Sequence, residues 1–452
     1  MSRESFDTIV VGARCAGAPV ALQLARAGQR VLLLDGAKLP SDQPISTHVV
    51  SELGMDWLDE LGVGAEVRRR SPGCKGLRID LCGTVLDIPW RGGRTSHALR
   101  RLHFDRLLQE AAVSAGADLR DQSKVVGLVR EGGRVVGVEA VHGSSKFVYR
   151  APLVVGADGR RSDVAELAGA KEYLGYDNPR FGYWAYWPVN SAWTGAVREL
   201  GAWLAFDDRS NIRLVFQTDG DLLLIGVTPL MRELPSWRGR HEEAYLEALR
   251  AAPLTAALVD GNAREGDLVG LLKVRYGFRE AAGPGFALVG DAGLHKDPTP
   301  GYGMTDALRD ARNLSRAILA GGDDALVRYW RQRDVDSIDL FHFARGMADP
   351  SYVNPLNEVV FGLAARSPEL LARLQAQARR ELSPYDVVPM GTVLRGMAGA
   401  MLRGNFAVLP AFFTAGKRGA TAQRARRERL DLLEALPPPR PPAVAEAQAA
   451  AQ

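Results

Sequence analysis

Cysteine is scarce in this chain of 452 residues: there are 3, at Cys15, Cys74 and Cys82, with no Cys-x-x-Cys pair and one thiol left over. That spacing supports neither a disulfide framework nor a zinc site, so no metal is expected and a reducing compartment is the simpler reading. Long apolar runs are missing too. The nearest approach to the roughly 18 apolar residues of a spanning helix is Gly396 to Gly416, which Arg403, Asn405 and Pro410 interrupt. No stable membrane insertion is expected. The N-terminus enters a strand-like segment, Phe6 to Val11, without the charged and longer apolar regions of an export signal, so a cytoplasmic location is the expectation. Neither sign of charge dominates. The balance of 57 Lys and Arg against 53 Asp and Glu leaves +4, and scattered cations give no case for a nucleic-acid partner. The densest basic stretch, Lys417 to Arg429, reads as a solvated helix face.

What is present is the composition of a soluble globular protein, 46% hydrophobic and 24% charged. The length exceeds one ordinary core, so two packed domains are expected; oligomeric state is not legible. Asp7 to Val11 and Arg30 to Leu34 read as parallel strands buried on both faces, because polar alternation is absent. Between them lie a glycine turn and a helix, Ala16 to Ala27. Gly76 to Trp90 reads as a hairpin turning at Cys82-Gly83, and Lys124 to Tyr149 as a three-stranded meander. Leu153 to Val155 and Phe286 to Val289 return to short buried strands, and Glu242 to Ala257 reads as one helix. Beyond Tyr329 the chain is mostly helical until a Pro/Ala tail from Pro437 that cannot build a core.

The first motif is Gly12-Ala13-Arg14-Cys15-Ala16-Gly17, with Asp35 ending the second strand. A strand feeding a glycine turn lets backbone N–H groups and a helix dipole meet a pyrophosphate, and the acid accepts hydrogen bonds from ribose hydroxyls. Arg14 stands where a second glycine is usual. Either its side chain points away from the phosphates or its guanidinium helps hold them. Two further turns follow buried strands: Gly156-Ala157-Asp158-Gly159-Arg160-Arg161-Ser162, and Gly290-Asp291 continuing through Pro298, Pro300, Gly301, Gly303 and Met304 into a helix. Turn capping is the plain alternative for either aspartate alone.

In this order and spacing the three segments resemble the para-hydroxybenzoate-hydroxylase-type flavoprotein monooxygenases. The resemblance spans roughly residues 5 to 340, with only the flavin motifs specific. It implies an α/β fold: a Rossmann-like FAD-binding domain, three-layered with a mainly parallel sheet plus a β-meander, an inserted α+β substrate domain, and a helical C-terminal region. The implied boundaries are 1–75 with 98–176 and 280–340 for FAD, 76–97 with 177–279 for substrate, 341–436 for the helical region, and 437–452 as a disordered tail. FAD contacts are implied at Gly12, Arg14, Cys15, Ala16, Gly17 and Asp35 for the ADP part. Asp158 follows in a motif that serves both FAD and passing NAD(P)H, then Gly290 and Asp291 for the ribityl and pyrophosphate oxygens, and Gly301, Gly303 and Met304 for the flavin edge. Arg101, in a segment similar to the family's Arg-x-x-Leu-Asp, and Val126 complete the set.

The resemblance implies that NADH or NADPH reduces FAD and that O₂ then gives a C4a-hydroperoxide, which hydroxylates or epoxidises an aromatic or polycyclic apolar small molecule. A phenolic substrate would benefit from a base, for which His48 and His295 are the candidates. His48 lies in a loop, Pro44 to His48, where it either approaches the ring system or caps the following helix. In Phe181 to Trp187, Tyr183, Ala185 and Trp187 share one strand face and Trp184 and Tyr186 the other. Tyr183, Trp187 and Pro298 are expected to touch substrate. A halogenase reading suffers from the absence of a Trp-x-Trp-x-Ile-Pro segment, and a geranylgeranyl-type reductase reading from the absence of a cysteine-glycine loop between Leu39 and Val50. A flavin-holding binding protein without turnover is the reading from another class.

Overall fold

The structure is a computed structural model that describes residues 4–437, so all but the first residue of the Pro/Ala tail lies outside the described residues. Strands Thr8–Val11, Val31–Leu34, Val154–Gly156 and Phe286–Leu288 are buried at every position. Such segments are stable only with cover on both faces, and they form the middle of a six-stranded sheet. Its central pairings are parallel: Phe286–Leu288 on Val154–Gly156, that strand on Thr8–Val11, and Thr8–Val11 on Val31–Leu34. Segments far apart in sequence therefore end side by side, at one edge. Helices Gly17–Arg26 and Gly303–Ala320 cover one face. The meander covers the other with Lys124–Glu131, Arg134–His142 and Ser145–Arg150. Gly132 and Gly133 both take positive φ at its first turn, as a two-residue hairpin requires.

A seven-stranded sheet joins the hairpin Gly76–Leu81 and Thr84–Pro89 to Gly182–Pro188, Ala202–Phe206, Ile212–Thr218, Leu222–Thr228 and Glu265–Leu271. The hairpin enters it through a parallel pairing of Gly76–Leu81 with Ala202–Phe206. Cys82 and Gly83 make its turn with φ of 49° and 88°. The single helix expected over Glu242 to Ala257 is two, His241–Arg250 and Pro253–Val259. Proline lacks the donor an unbroken helix needs and starts a new one at its first position instead. A tie between the two sheets runs through Asp219, which accepts from the Arg100 backbone N–H at 2.8 Å and its Nε at 2.9 Å.

From the 26-residue helix Asp323–Ala348 onward the described chain is helical: Pro355–Ala364, Pro368–Ala378, Met390–Leu402 and Val408–Glu434. The long helix carries a fully buried ion pair, Arg333 to Asp334 at 2.7 Å, whose outward bonds fasten it. Arg333 also donates to the Arg279 carbonyl at 3.1 Å, and Tyr173 donates its hydroxyl to Asp334. Removing one partner leaves a buried charge unpaired. Arg333→Met is expected to lower unfolding free energy by about 3–5 kcal/mol in urea titrations, with Arg333→Met/Asp334→Leu recovering most of it. A single-variant loss below about 1 kcal/mol, the range of exposed pairs, would contradict this account.

Candidate functional site

At the shared edge of the parallel strands, three turns meet backbone to backbone. Gly12 has φ of 104°, and a Cβ there would stand 2.4 Å from the Ala157 carbonyl oxygen. Gly290, at φ of 60°, would bring its Cβ to 2.8 Å from the Ala16 methyl. Both positions exclude side chains by space as well as by conformation. Between the turns opens a cavity of about 610 Å³, the size of a cofactor site. Asp35 is fixed at its wall, its Oδ2 accepting from Ala13 N and its Oδ1 from Ala37 N, each at 2.9 Å. The remaining lone pairs suit ribose hydroxyls. Arg101 brings a buried positive charge, held protonated against burial by Asp105, 2.8 Å away. On the far side helix Gly303–Ala320 begins without a side-chain cap. The N–H groups of its first turn lie at the cavity wall with Gly303, whose Cβ position is open space. Such a terminus favours electron-rich or anionic groups.

A family model described as an FAD binding domain matches residues 5–325. The chain belongs to this family of FAD-binding flavoproteins. It is 32% identical over 318 residues, 68% of this chain and 73% of the other, to 6-methylpretetramide 4-monooxygenase of Streptomyces rimosus. It is 27% identical over 339 residues, 72% and 82% of the two chains, to a digeranylgeranylglycerophospholipid reductase of Methanocella arvoryzae. In fold it is similar to p-nitrophenol 4-monooxygenase PnpA from Pseudomonas putida DLL-E4, with a TM-score of 0.71, 19% identity, and 83% and 98% of the chains covered. The protein is an FAD-dependent oxidoreductase of the family that includes the para-hydroxybenzoate-hydroxylase-type enzymes. The cavity fits the cofactor: a pyrophosphate cradle that admits no side chain, an acid at the ribose end and an uncapped helix at the other.

The structure of this flavoprotein brings most sequence-assigned residues to the cavity: Gly12, Arg14, Cys15, Ala16, Asp35, Arg101, Asp158, Asp291, His295, Pro298, Gly301, Gly303 and Met304 all line it. Gly17 and Gly290 stand behind, as packing positions. A Cβ on Gly17 would lie 1.9 Å from the Gly12 carbonyl. Val126 is a correction. It is 45% exposed, because alternation along Lys124–Glu131 turns Val125 inward to line the cavity instead. Arg14 reaches outward, donating to Ser41 Oγ at 3.0 Å and the Asp42 carbonyl at 3.3 Å, and so holds the loop across the cavity. Asp158 does cap a turn, accepting from Ser162 Oγ at 2.5 Å and Val164 N at 3.0 Å.

His48 is not the helix cap. Ser51 caps helix Glu52–Glu60, and His48 stands behind the cavity wall, between Thr47 and Val49, which line it. Fully buried at φ of 62°, it shares a hydrogen bond between its Nε2 and the Tyr186 hydroxyl, with the rings stacked at 5.8 Å. Burial, with Arg101 adding to it, holds its pKa down to about 3. With Trp184 Nε1 donating to the Pro44 carbonyl at 2.8 Å, the pair clamps the loop beside the flavin. His295 sits against Asp291 at 3.7 Å, also kept neutral by burial.

The expected substrate contacts need a second correction. Trp187 faces into the core under His241–Arg250, where its Nε1 donates to the Tyr245 hydroxyl at 3.1 Å, and Tyr183 packs at the edge of that core, stacked on Trp237; neither lines the cofactor cavity or its apolar neighbour. The choice of face belongs to the covering helix, which alternation cannot name. A second cavity of about 330 Å³ lies elsewhere, meeting the first at Val49, Pro300, Gly301 and Tyr302. Its walls are aliphatic and aromatic: Leu77, Ile79, Leu86 and Ile88 from the hairpin, Leu204 and Phe216 from the sheet, and Phe361, Leu370 and Leu374 from the C-terminal helices. Glu52 is the carboxyl in this wall, pushed up by burial although Arg379 stands 3.4 Å away. Sequence reasoning missed this site. The alternation of Leu77, Ile79, Leu86 and Ile88 was the available signal.

Two outcomes follow from this geometry. Asp35→Ala removes the ribose acceptor and strands two backbone donors, so flavin fluorescence titration should show FAD bound about 10- to 100-fold more weakly; an unchanged Kd would refute the placement. His48 is neutral when folded and basic at about 6.5 when unfolded. Its contribution to stability is full above pH 6.5 and declines as pH falls toward 3. The wild type should lose about 2 kcal/mol more than His48→Gln between pH 6.5 and 5, and parallel pH profiles would exclude a buried neutral histidine.

Proposed function

We propose that this flavoprotein is an FAD-dependent monooxygenase that uses NADH or NADPH and O₂ to hydroxylate or epoxidise an aromatic or polycyclic apolar small molecule. The observation that carries the reading is the apolar cavity opening onto the Gly301–Met304 turn, where the flavin's reactive edge would lie. Bound FAD supplies the acceptance of reducing equivalents and the activation of oxygen. The chain's own groups do the rest. The aliphatic walls bind a flat apolar body and exclude water. Tyr302 stands at the junction of both cavities, fixed by Arg380 at 4.5 Å over its ring. The first turn of Gly303–Ala320 stabilises negative charge on the reduced ring. Glu52 is better placed than His48 or His295 to take a proton from a phenol, because it lines the apolar cavity and burial raises its proton affinity.

Likeness to the Streptomyces rimosus monooxygenase supports this reading. The aliphatic wall, together with likeness to the Methanocella reductase, favours a second: saturation of a prenyl chain by reduced flavin. The two separate under anaerobic conditions. In the first, NAD(P)H oxidation by the purified yellow protein is substrate-stimulated, needs O₂ and yields a product one oxygen atom heavier. Reductant consumed without O₂, with product gaining two hydrogens, would replace it by the second. Within the first reading, Glu52→Gln is expected to keep FAD and lower phenol oxygenation about 100-fold or more, with hydrogen peroxide released instead. Unchanged coupling would remove Glu52 from the reaction.

A further inference from the structure

Among the described residues, exposed large apolar side chains gather on one short stretch near the C-terminus: Met390, Leu394, Leu402, Phe406, Leu409 and Phe413. Leu402 is 90% exposed, Phe406 62% and Phe413 65%. Their spacing is regular. Met390 and Leu394 are four apart on helix Met390–Leu402, and Leu409 and Phe413 are four apart on Val408–Glu434, so each pair shares a helix face, while Leu402 ends the first helix. Directly beside Met390 and Leu394 the first helix is already in use, with Met397 and Ala400 packed with Val408 against Leu356. A helix whose apolar surface runs on past its packed residues into solvent marks a contact with something apolar. No spanning role is open to it, since no helix of the described residues is long and apolar enough to cross a membrane.

Charge narrows the occupant. From residue 387 to 427 the chain has seven lysines and arginines and no aspartate or glutamate; Arg418 and Arg426 pair with Asp349 and Asp339 outside it, which leaves Arg395, Arg403, Lys417, Arg424 and Arg427. The whole chain nets only +4, so the remainder is net acidic. A second copy of the same surface would meet it with like charge, which disfavours a symmetric dimer there. An apolar stripe flanked by cations is instead the chemistry of a helix lying in the interface of an anionic bilayer. The surface is also one helix away from the apolar cavity. Pro355–Ala364 gives Phe361 and Ala364 to that cavity and Leu356 to the helix pair. A groove beside the patch, lined by Arg366, Arg395 and Arg403, shares Leu370 with the same cavity.

We propose that the outer face of Met390–Leu402 and the first turns of Val408–Glu434 dock peripherally on an anionic lipid surface, placing the apolar cavity next to a membrane reservoir. This goes beyond the proposed oxidation and does not depend on it. Flotation of the full-length holoprotein with phosphatidylcholine vesicles, with and without phosphatidylglycerol, tests it. Binding is expected with the anionic vesicles, with release as salt rises. Leu402→Ser/Phe406→Ser/Phe413→Ser should weaken it at least about tenfold while FAD content is retained, and Arg403→Glu/Lys417→Glu should abolish the preference for phosphatidylglycerol. Leu319→Ser, an exposed apolar site elsewhere, should leave binding unchanged. The proposal falls if anionic vesicles recover no protein, or if the serine variant floats as well as the wild type. It falls equally if the patch mediates dimerisation, seen as a concentration-dependent dimer that the serine variant loses without any vesicle binding.

Discussion

The cofactor site rests on the approach of two turns, where the Ala157 carbonyl stands in the space that a Cβ on residue 12 would need. It holds because Thr8–Val11 pairs in parallel with Val154–Gly156 and both strands end at the same level. Phe286–Leu288 ends there as well, which brings Gly290 against Ala16. Parallel strands need crossover connections, so residues over 100 positions apart become neighbours only when every connection has returned to the same edge. The cofactor cradle is therefore a consequence of the sheet rather than an addition to it. A side chain at Gly12 would separate strand ends as well as crowd a phosphate.

A second dependence runs from this edge to the seven-stranded sheet through the loop between Ser41 and Val50. Arg14 holds its beginning, Trp184 takes the Pro44 carbonyl, and Tyr186 bonds His48. The loop thus spans flavin turn and second sheet, and Val49 at its end belongs to both cavities. Burial makes His48 a neutral hydrogen-bonding residue rather than a titrating one. A histidine with its proton affinity so depressed is a poor base for a phenol. The cost is a buried Nδ1 with no partner among the described residues. That cost is tolerable because the rest of the ring is stacked and bonded.

Most of the cofactor site was legible in the chain because its determinants are local. Each motif is a buried strand followed at once by a turn, and the turn's residues report their own geometry. Asp35 could be assigned because it ends a strand, and Gly303 and Met304 because they begin a helix. Val126 failed by one residue, which on a strand is the difference between its two faces. Tyr183 and Trp187 failed for a different reason: alternation separates two faces without saying which one a helix will cover. The apolar cavity was legible only in its hairpin wall, which falls within the segment 76–97 assigned to substrate; the helices beyond 355 that close it are named by nothing within that hairpin.

Those late helices explain why the cavity can be both apolar and adjacent to a charged network. Arg379 and Arg380 follow Pro368–Ala378 and reach Glu52 and Asp306, the latter at 2.5 Å. Asp306 also receives Lys296 at 2.6 Å, and despite burial these cations hold its carboxyl well below the usual range. Buried charges are stable only when each has a partner. Displacing the helices would strand Glu52 and weaken the neutralisation of Asp306, so the ionic contacts favour one position of the cover over others. The apolar contacts of Leu370 and Phe361 are less particular, since packing of that kind depends on area more than direction. Position is thus set at the flavin side by charge, while the inner face shapes a binding space by exclusion of water. The outer face remains apolar because nothing in the described chain returns to cover it.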